Sequence, residues 1–188
     1  AANLSVAARL EELGAHVVYG VVGYKTHAKM LMVLRREDHG YRRYIHLGTG
    51  NYHPRTTRFY TDFGLLTANP EIGDDVNEVF KQLTGLGKAT ALNHLWQAPF
   101  SLHPNMLAAI RAEIDFARAG RPARIIAKMN SLLEPEIIEA LYEASGAGVD
   151  IALIVRGVCS LRPGVKGLSE NIRVRSVIGR FLEHTRVF

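Results

Sequence analysis

Two pairs of residues near opposite ends of this chain share one arrangement: His27 and Lys29 flank Ala28, and His184 and Arg186 flank Thr185. On an extended backbone, side chains two apart leave by the same face, so each imidazole should lie beside a permanent cation. A neighbouring positive charge disfavours protonation of the ring, which keeps it nucleophilic, and the same charge attracts an anion such as a phosphate. The pattern predicts phosphoryl chemistry, with His27 attacking and Lys25 and Lys29 neutralising the transferring oxygens.

A second feature adds to the first. Gly48-Thr49-Gly50-Asn51 is a loop whose glycines let backbone amides approach an anion, while Thr49 offers a hydroxyl and Asn51 can orient an imidazole or bind a phosphate oxygen. Arg156 ends the predicted buried strand Val149 to Val155, where a guanidinium can clamp a phosphate or form a surface ion pair. Lys128, Asn130, Arg58, Arg173 and Arg180 either extend a basic lining or are solvated surface residues.

These residues need elements to hold them. The apolar positions from Leu4 to Leu13 predict a helix stopped by Gly14, followed by a short strand over His16 to Tyr19. From Ala28 to Leu34 every side chain but Lys29 is apolar, which predicts a strand buried on both faces with His27 at its mouth. Asp38-His39-Gly40 is a turn signal leading to a second strand, Arg42 to Leu47, whose far end opens into the glycine loop beside His27. Ile72, Val76, Val79, Phe80 and Leu83 have helical spacing before Gly85.

Residues 84–104 are rich in Gly, Pro and small side chains, which predicts a boundary near Ala98 between units 1–97 and 98–188. Beyond it come a helix with Pro104 in its first turn, ended by Gly120, a strand over Ala123 to Met129, and a helix over Pro135 to Ser145 stopped by Gly146. Strands follow at Val149 to Val155, Ile172 to Val177 and Leu182 to Phe188. The alternation predicts an α/β class with two similar sheets side by side.

Composition narrows the function classes. At 188 residues and 47% apolar content the chain can bury a real core. It shows no membrane-spanning apolar run and no signal-peptide pattern. The single cysteine, Cys159, rules out an internal disulfide and favours a reducing, cytoplasmic setting. The net charge is +5, with seventeen arginines against six lysines, a balance suited to bidentate contact with a phosphate-rich partner. Charge alone leaves open a nucleotide, a nucleic acid or inorganic polyphosphate, and a non-enzymatic nucleic-acid-binding module remains a third class. The non-methionine Ala1 and the strand pattern running into Phe188 suggest a fragment of a longer protein.

The His-x-Lys and GTGN pair resembles half of a phospholipase D-type site, in which two such halves meet across a pseudo-twofold axis and His184 and Arg186 would supply the second. Leu34 stands where diesterases of that superfamily carry an aspartate, and Arg186 where a second lysine would stand. A narrower resemblance covers the whole chain in order. Lys25-Thr26-His27-Ala28-Lys29, His46-Leu47-Gly48-Thr49-Gly50-Asn51-Tyr52, Tyr60-Thr61-Asp62-Phe63, Val155-Arg156-Gly157-Val158-Cys159-Ser160 and Leu182-Glu183-His184-Thr185-Arg186 are similar to the C-terminal catalytic region of bacterial polyphosphate kinase.

That resemblance implies two phospholipase D-like α/β domains side by side, both truncated here. It also implies reversible transfer of the terminal phosphate of ATP to inorganic polyphosphate through a phosphohistidine, with a phospholipase D-like phosphodiesterase or nuclease as the alternative. By motif, His27 is the phosphorylated nucleophile and His184 assists proton or charge handling. Tyr60, Arg156 and His184 contact nucleotide, and Lys29 and Asn51 position phosphate. Magnesium is the implied cofactor, its ligands and the adenine site lying upstream of Ala1, with no metal ligands in the chain itself. ATP, ADP and polyphosphate are the implied partners and nucleic acid is not. The parent enzyme is expected to be a cytoplasmic homo-oligomer that can associate with the inner face of the cell membrane, and the isolated fragment to be inactive.

Overall fold

A computed structural model describes residues 2–87 and 91–188; the side chains of residues 2–5, Leu4 among them, and residues 88–90 of the predicted linker lie outside that description. Helix α1 (Ala2–Glu12) ends just before Gly14, whose φ of +85° is a conformation open to glycine and costly for other residues. The expected strand over His16 to Tyr19 does not form: among the described residues that stretch joins no ladder. An apolar pattern of four residues states a preference for extension but supplies no partner strand.

The first sheet is antiparallel, in the order β1-β2-β4. Strand β1 (Met30–Glu37) turns through Asp38 and His39 into β2 (Gly40–Gly48), with Met30 opposite Leu47 and Glu37 opposite Gly40. Strand β3 (Tyr60–Thr61) lies outside this sheet, and β4 (Gly64–Thr67) pairs with the other edge of β2. Helix α2 (Pro70–Leu83) covers one face. Asn69 caps it, its side chain accepting from the Ile72 amide at 3.1 Å, and Pro70 sits in the first turn, where no amide donor is needed. Val76 and Val79 of α2 are buried together with Ile45 of β2.

The expectation that β1 is buried on both faces is corrected. Leu31, Val33 and Leu34 are about half exposed, because β1 is an edge strand and the helix against this sheet, α2, covers a single face among the described residues. An unbroken apolar run cannot reveal how many layers will cover it.

The second unit has helix α3 (Leu102–Arg118), strand β5 (Arg124–Met129), helix α4 (Pro135–Gly146), and strands β6 (Asp150–Val155) and β7 (Ile172–Arg175). Its sheet is parallel, ordered β5-β6-β7. Helices α3 and α4 pack on one another and on the sheet, placing Ile110, Ile114, Leu141, Ile151, Leu153 and Val155 in one core. Glu134 caps α4 by accepting from the Ile137 amide at 2.7 Å. The stop after α4 is Gly148, with φ +96°, whereas Gly146 remains within the helix.

The two sheets therefore differ, one antiparallel and one parallel, within the α/β class expected. A two-stranded parallel ladder, absent from the sequence reading, joins the units. It pairs β3 with β8 (Leu182–Glu183), with Tyr60 opposite Leu182 and Thr61 opposite Glu183. The predicted strand over Leu182 to Phe188 is thus broken: after β8 the chain crosses to the edge of β5, where Lys128 and Val187 exchange backbone hydrogen bonds of 2.7 and 3.0 Å.

Candidate active site

His27 and Lys29 precede β1 and lie outside the ladder. The Lys29 carbonyl nevertheless accepts from the Gly48 amide at 2.9 Å, which ties this approach segment to the start of the glycine loop. His27 is exposed, while Lys29 is buried, with 9% of its surface accessible. The ammonium of Lys29 donates to the His27 carbonyl at 2.7 Å and stands 3.1 Å from each ring nitrogen. The ammonium has only donors to offer, so its closeness to both ring nitrogens disfavours protonation of the imidazole.

Partial withdrawal from water pushes the pKa of His27 down, and the charges of Lys29, Lys25, Arg186 and His184 push it further in the same direction. The ammonium of Lys29 is also held below its ordinary range, first by burial and then by Arg186 and Lys25, with Asp62 opposing. These mutual influences bring both His-x-cation pairs into one electrostatic neighbourhood, although they lie at opposite ends of the chain.

His184 and Thr185 are buried. The Nδ1 of His184 is 2.8 Å from Oδ1 of Asp62, and the ring of Tyr60 lies with its centroid 4.9 Å from that of His184 at an interplanar angle of 37°. Asp62 also accepts from the Thr49 hydroxyl at 2.8 Å, and Thr49 accepts in turn from the Phe63 amide at 2.9 Å. The hydroxyl expected to meet an anion is therefore committed to Asp62. Gly50 makes room for this arrangement: a Cβ there would stand 2.5 Å from Oδ2 of Asp62.

Arg156 donates to the Asn130 side-chain oxygen, and its other terminal nitrogen reaches the Glu183 carbonyl at 3.4 Å. It is thereby fixed at the junction of the units with further donors to spare. Lys128 is engaged by the Glu183 carboxylate, which also accepts from the Thr61 hydroxyl at 3.0 Å. Arg186 donates to the carbonyl of His184 at 2.7 Å. Asn51 is exposed, and its carbonyl accepts from the His53 amide at 2.9 Å.

Of the residues singled out in the sequence, the charges of His184 and Arg186 reach His27, that of Arg186 reaches Lys29, Tyr60 packs on His184, and Arg156 touches the carbonyl of Glu183, the residue before His184. Asn51 makes no side-chain hydrogen bond among the described residues. Sequence reasoning missed the part Asp62 plays, although it lies in a quoted motif. Its signal is spacing: two residues after Tyr60 on an extended segment, it shares a face with an aromatic already assigned to the site.

The family model described as polyphosphate kinase C-terminal domain 2 matches residues 95–188, and that of C-terminal domain 1 matches residues 1–89. The chain is 64% identical over 190 residues to a polyphosphate kinase of Burkholderia multivorans, the match covering 99% of this chain and 28% of that protein. A polyphosphate kinase of Paraburkholderia phytofirmans is 64% identical with the same coverage. Among solved structures, polyphosphate kinase from Porphyromonas gingivalis superposes with a TM-score of 0.88 at 36% identity, over 98% of this chain and 31% of that one. The chain thus spans less than a third of the length of these relatives. By its two domain matches, this chain belongs to the polyphosphate kinase family.

Proposed function

We propose that this chain forms the C-terminal catalytic part of an enzyme that moves the terminal phosphate of ATP onto inorganic polyphosphate, reversibly, through His27. What supports the reading is one juxtaposition: an exposed imidazole lowered in pKa, with a buried ammonium against its ring and a second imidazole, anchored by Asp62, within range of its charge.

In the proposed first step the unprotonated nitrogen of His27 attacks the terminal phosphorus. An N–P bond forms, the P–O bond to the β-phosphate breaks, and ADP leaves with that electron pair. In the second step a terminal oxygen of the polyphosphate chain attacks the same phosphorus, the N–P bond breaks, and the chain is one phosphate longer. Lys29, Arg186 and Arg156 offset the negative charge that gathers on the equatorial oxygens. Tyr60 and Asn51 are assigned to nucleotide and phosphate contact. His184, with Nδ1 committed to Asp62, has Nε2 for proton or charge handling at the oxygens that leave or attack.

Magnesium supplies charge neutralisation on ATP and polyphosphate. The described residues do not by themselves fit such a site, since no group of three or more His, Cys, Asp or Glu side chains is placed to hold a metal ion. Its ligands are proposed to lie elsewhere in the enzyme, and no step above passes through it. The two catalytic domains are proposed to meet near Ala98, as 1–97 and 98–188, with the antiparallel sheet on one side and the parallel sheet on the other. No helix among the described residues is long and apolar enough to cross a membrane. A cytoplasmic homo-oligomer acting on ATP, ADP and polyphosphate is proposed for the whole enzyme.

The test is synthesis of polyphosphate from ATP by the full-length enzyme and its His27→Ala variant. Loss of synthesis in the variant supports the proposal. Hydrolysis of a phosphodiester with no polyphosphate made would replace it with the diesterase reading.

A further inference from the structure

Glu183 immediately precedes His184, and three elements converge on it. Its Oε2 accepts from the Thr61 hydroxyl of β3 at 3.0 Å and is paired with the Lys128 ammonium of β5. Its carbonyl accepts from Arg156. The side chains of Lys128 and Glu183 are only 18% and 22% exposed, so their attraction is less screened than that of a surface pair. Lys128 holds the same segment a second time through its backbone, by the two hydrogen bonds to Val187. The stretch from Leu182 to Val187 is thus tied at one end to both units and at the other to β5, with His184 between the ties.

We propose that Glu183 is a positioning residue for His184: its carboxylate, clamped between Thr61 of the first unit and Lys128 of the second, sets where the His184 ring stands relative to Asp62 and His27. This rests on the reading of His27 and His184 as the phosphotransfer pair. The physical reason is the stiffness of the connection. His184 adjoins β8 in sequence, and its Nδ1 contact with Asp62 on the partner side of the ladder tolerates little sliding between the two strands. Release of Glu183 from Lys128 removes the charged bond that fixes β8 against the second unit. Lys128 then becomes a half-buried cation without its carboxylate.

Thr61 and Lys128 do different work in this clamp. An amide at position 183 can still accept from the Thr61 hydroxyl but no longer balances the ammonium, so Glu183→Gln isolates the link to the second unit. Lys128→Met removes the same link from the other side while keeping an apolar stem of similar length.

The experiment is single-turnover phosphorylation of the full-length enzyme by ATP labelled in its terminal phosphate, with the rate constant and the amplitude of His27 labelling read separately. A positioning role predicts that Glu183→Gln and Lys128→Met each label to full amplitude with a rate constant reduced about 100-fold, the scale of a small misplacement in a preorganised site. The double variant should be no slower than the slower single, because both changes break one link. A wild-type rate constant in either variant, a loss confined to amplitude, or two effects that multiply would overturn the proposal. Unlabelled wild-type enzyme would overturn the underlying reading of His27 and this inference with it, whereas normal wild-type labelling beside an unaffected Glu183→Gln enzyme defeats the positioning role alone.

Discussion

Asp62 and His184 lie 122 positions apart in the sequence and 2.8 Å apart in space, and their bond joins the residue that follows β3 and holds the Thr49 hydroxyl to the residue that follows β8. Asp62 fixes which ring nitrogen of His184 is occupied and at what angle the ring stands against Tyr60. Asp62→Asn should therefore lower kcat for phosphate transfer about 100-fold in the full-length enzyme. Thr49→Val, which removes one hydroxyl donor from Asp62, should cost less. Steady-state kinetics check both, and unchanged kcat in the Asp62 variant would show that the bond plays no part in turnover.

The pH dependence follows from the depressed pKa of His27. The ring must be unprotonated to attack, so labelling should persist as pH falls and fail only below the ordinary imidazole value of 6.5. Burial contributes first and Lys29 next. Removal of that cation in Lys29→Met lets the pKa of His27 rise part of the way back, and the acidic limb of the labelling rate should move to higher pH. A limb that stays in place, or moves to lower pH, would contradict the electrostatic role of Lys29.

Gly50 should tolerate no side chain. A Cβ at that position meets Oδ2, Cγ and Cβ of Asp62 at 2.5, 2.6 and 2.9 Å, so Gly50→Ala must displace Asp62 from Thr49 and His184. Overpacking of this kind costs roughly 1–3 kcal/mol of stability. The larger effect should be on transfer, about 100-fold. Denaturant unfolding and kinetics on the same preparation separate the two, and a variant with normal transfer would show that Asp62 can move without consequence.

Asp75 on α2 carries a stability prediction. Its carboxylate is buried and accepts from the amides of Asn93, His94 and Leu95 at 3.0, 2.6 and 2.9 Å, fixing the connecting segment to the first unit. Burial alone would raise its pKa; the three amides, with the charge of His94, outweigh it and hold the carboxyl below its ordinary value of 3.8. A group lowered in this way stabilises the fold above its unfolded pKa and loses that contribution as pH falls through the folded one. Asp75→Ala should cost about 3 kcal/mol near neutral pH, and the difference from wild type should shrink in acid. Urea unfolding at two pH values measures it, and a penalty that grows in acid would refute the sign.

Local signals made several features readable from sequence. The hairpin announced itself in Asp38-His39-Gly40, α2 in the helical spacing of Ile72, Val76, Val79, Phe80 and Leu83, and the two His-x-cation pairs in their identical spacing. Less legible were the relations that tie the halves together. Tyr60-Thr61 and Leu182-Glu183 are two-residue strands, too short for alternation to show, and their pairing depends on a closure of more than a hundred residues. The same distance hides the links of Glu183 to Thr61 and of Asp62 to His184, since no local rule requires either partner. Burial of β1 was misjudged for a related reason: a side chain's apolarity states what it prefers to touch, not which layer will be there.

The central claim is that His27 carries the phosphate between ATP and polyphosphate. Full-length enzyme incubated with ATP labelled in its terminal phosphate, then digested and mapped, should show acid-labile, base-stable label on the peptide containing His27. The label should discharge when polyphosphate or ADP is added, and it should be absent from His27→Ala. Full labelling of that variant, or label that neither acceptor removes, would contradict the account.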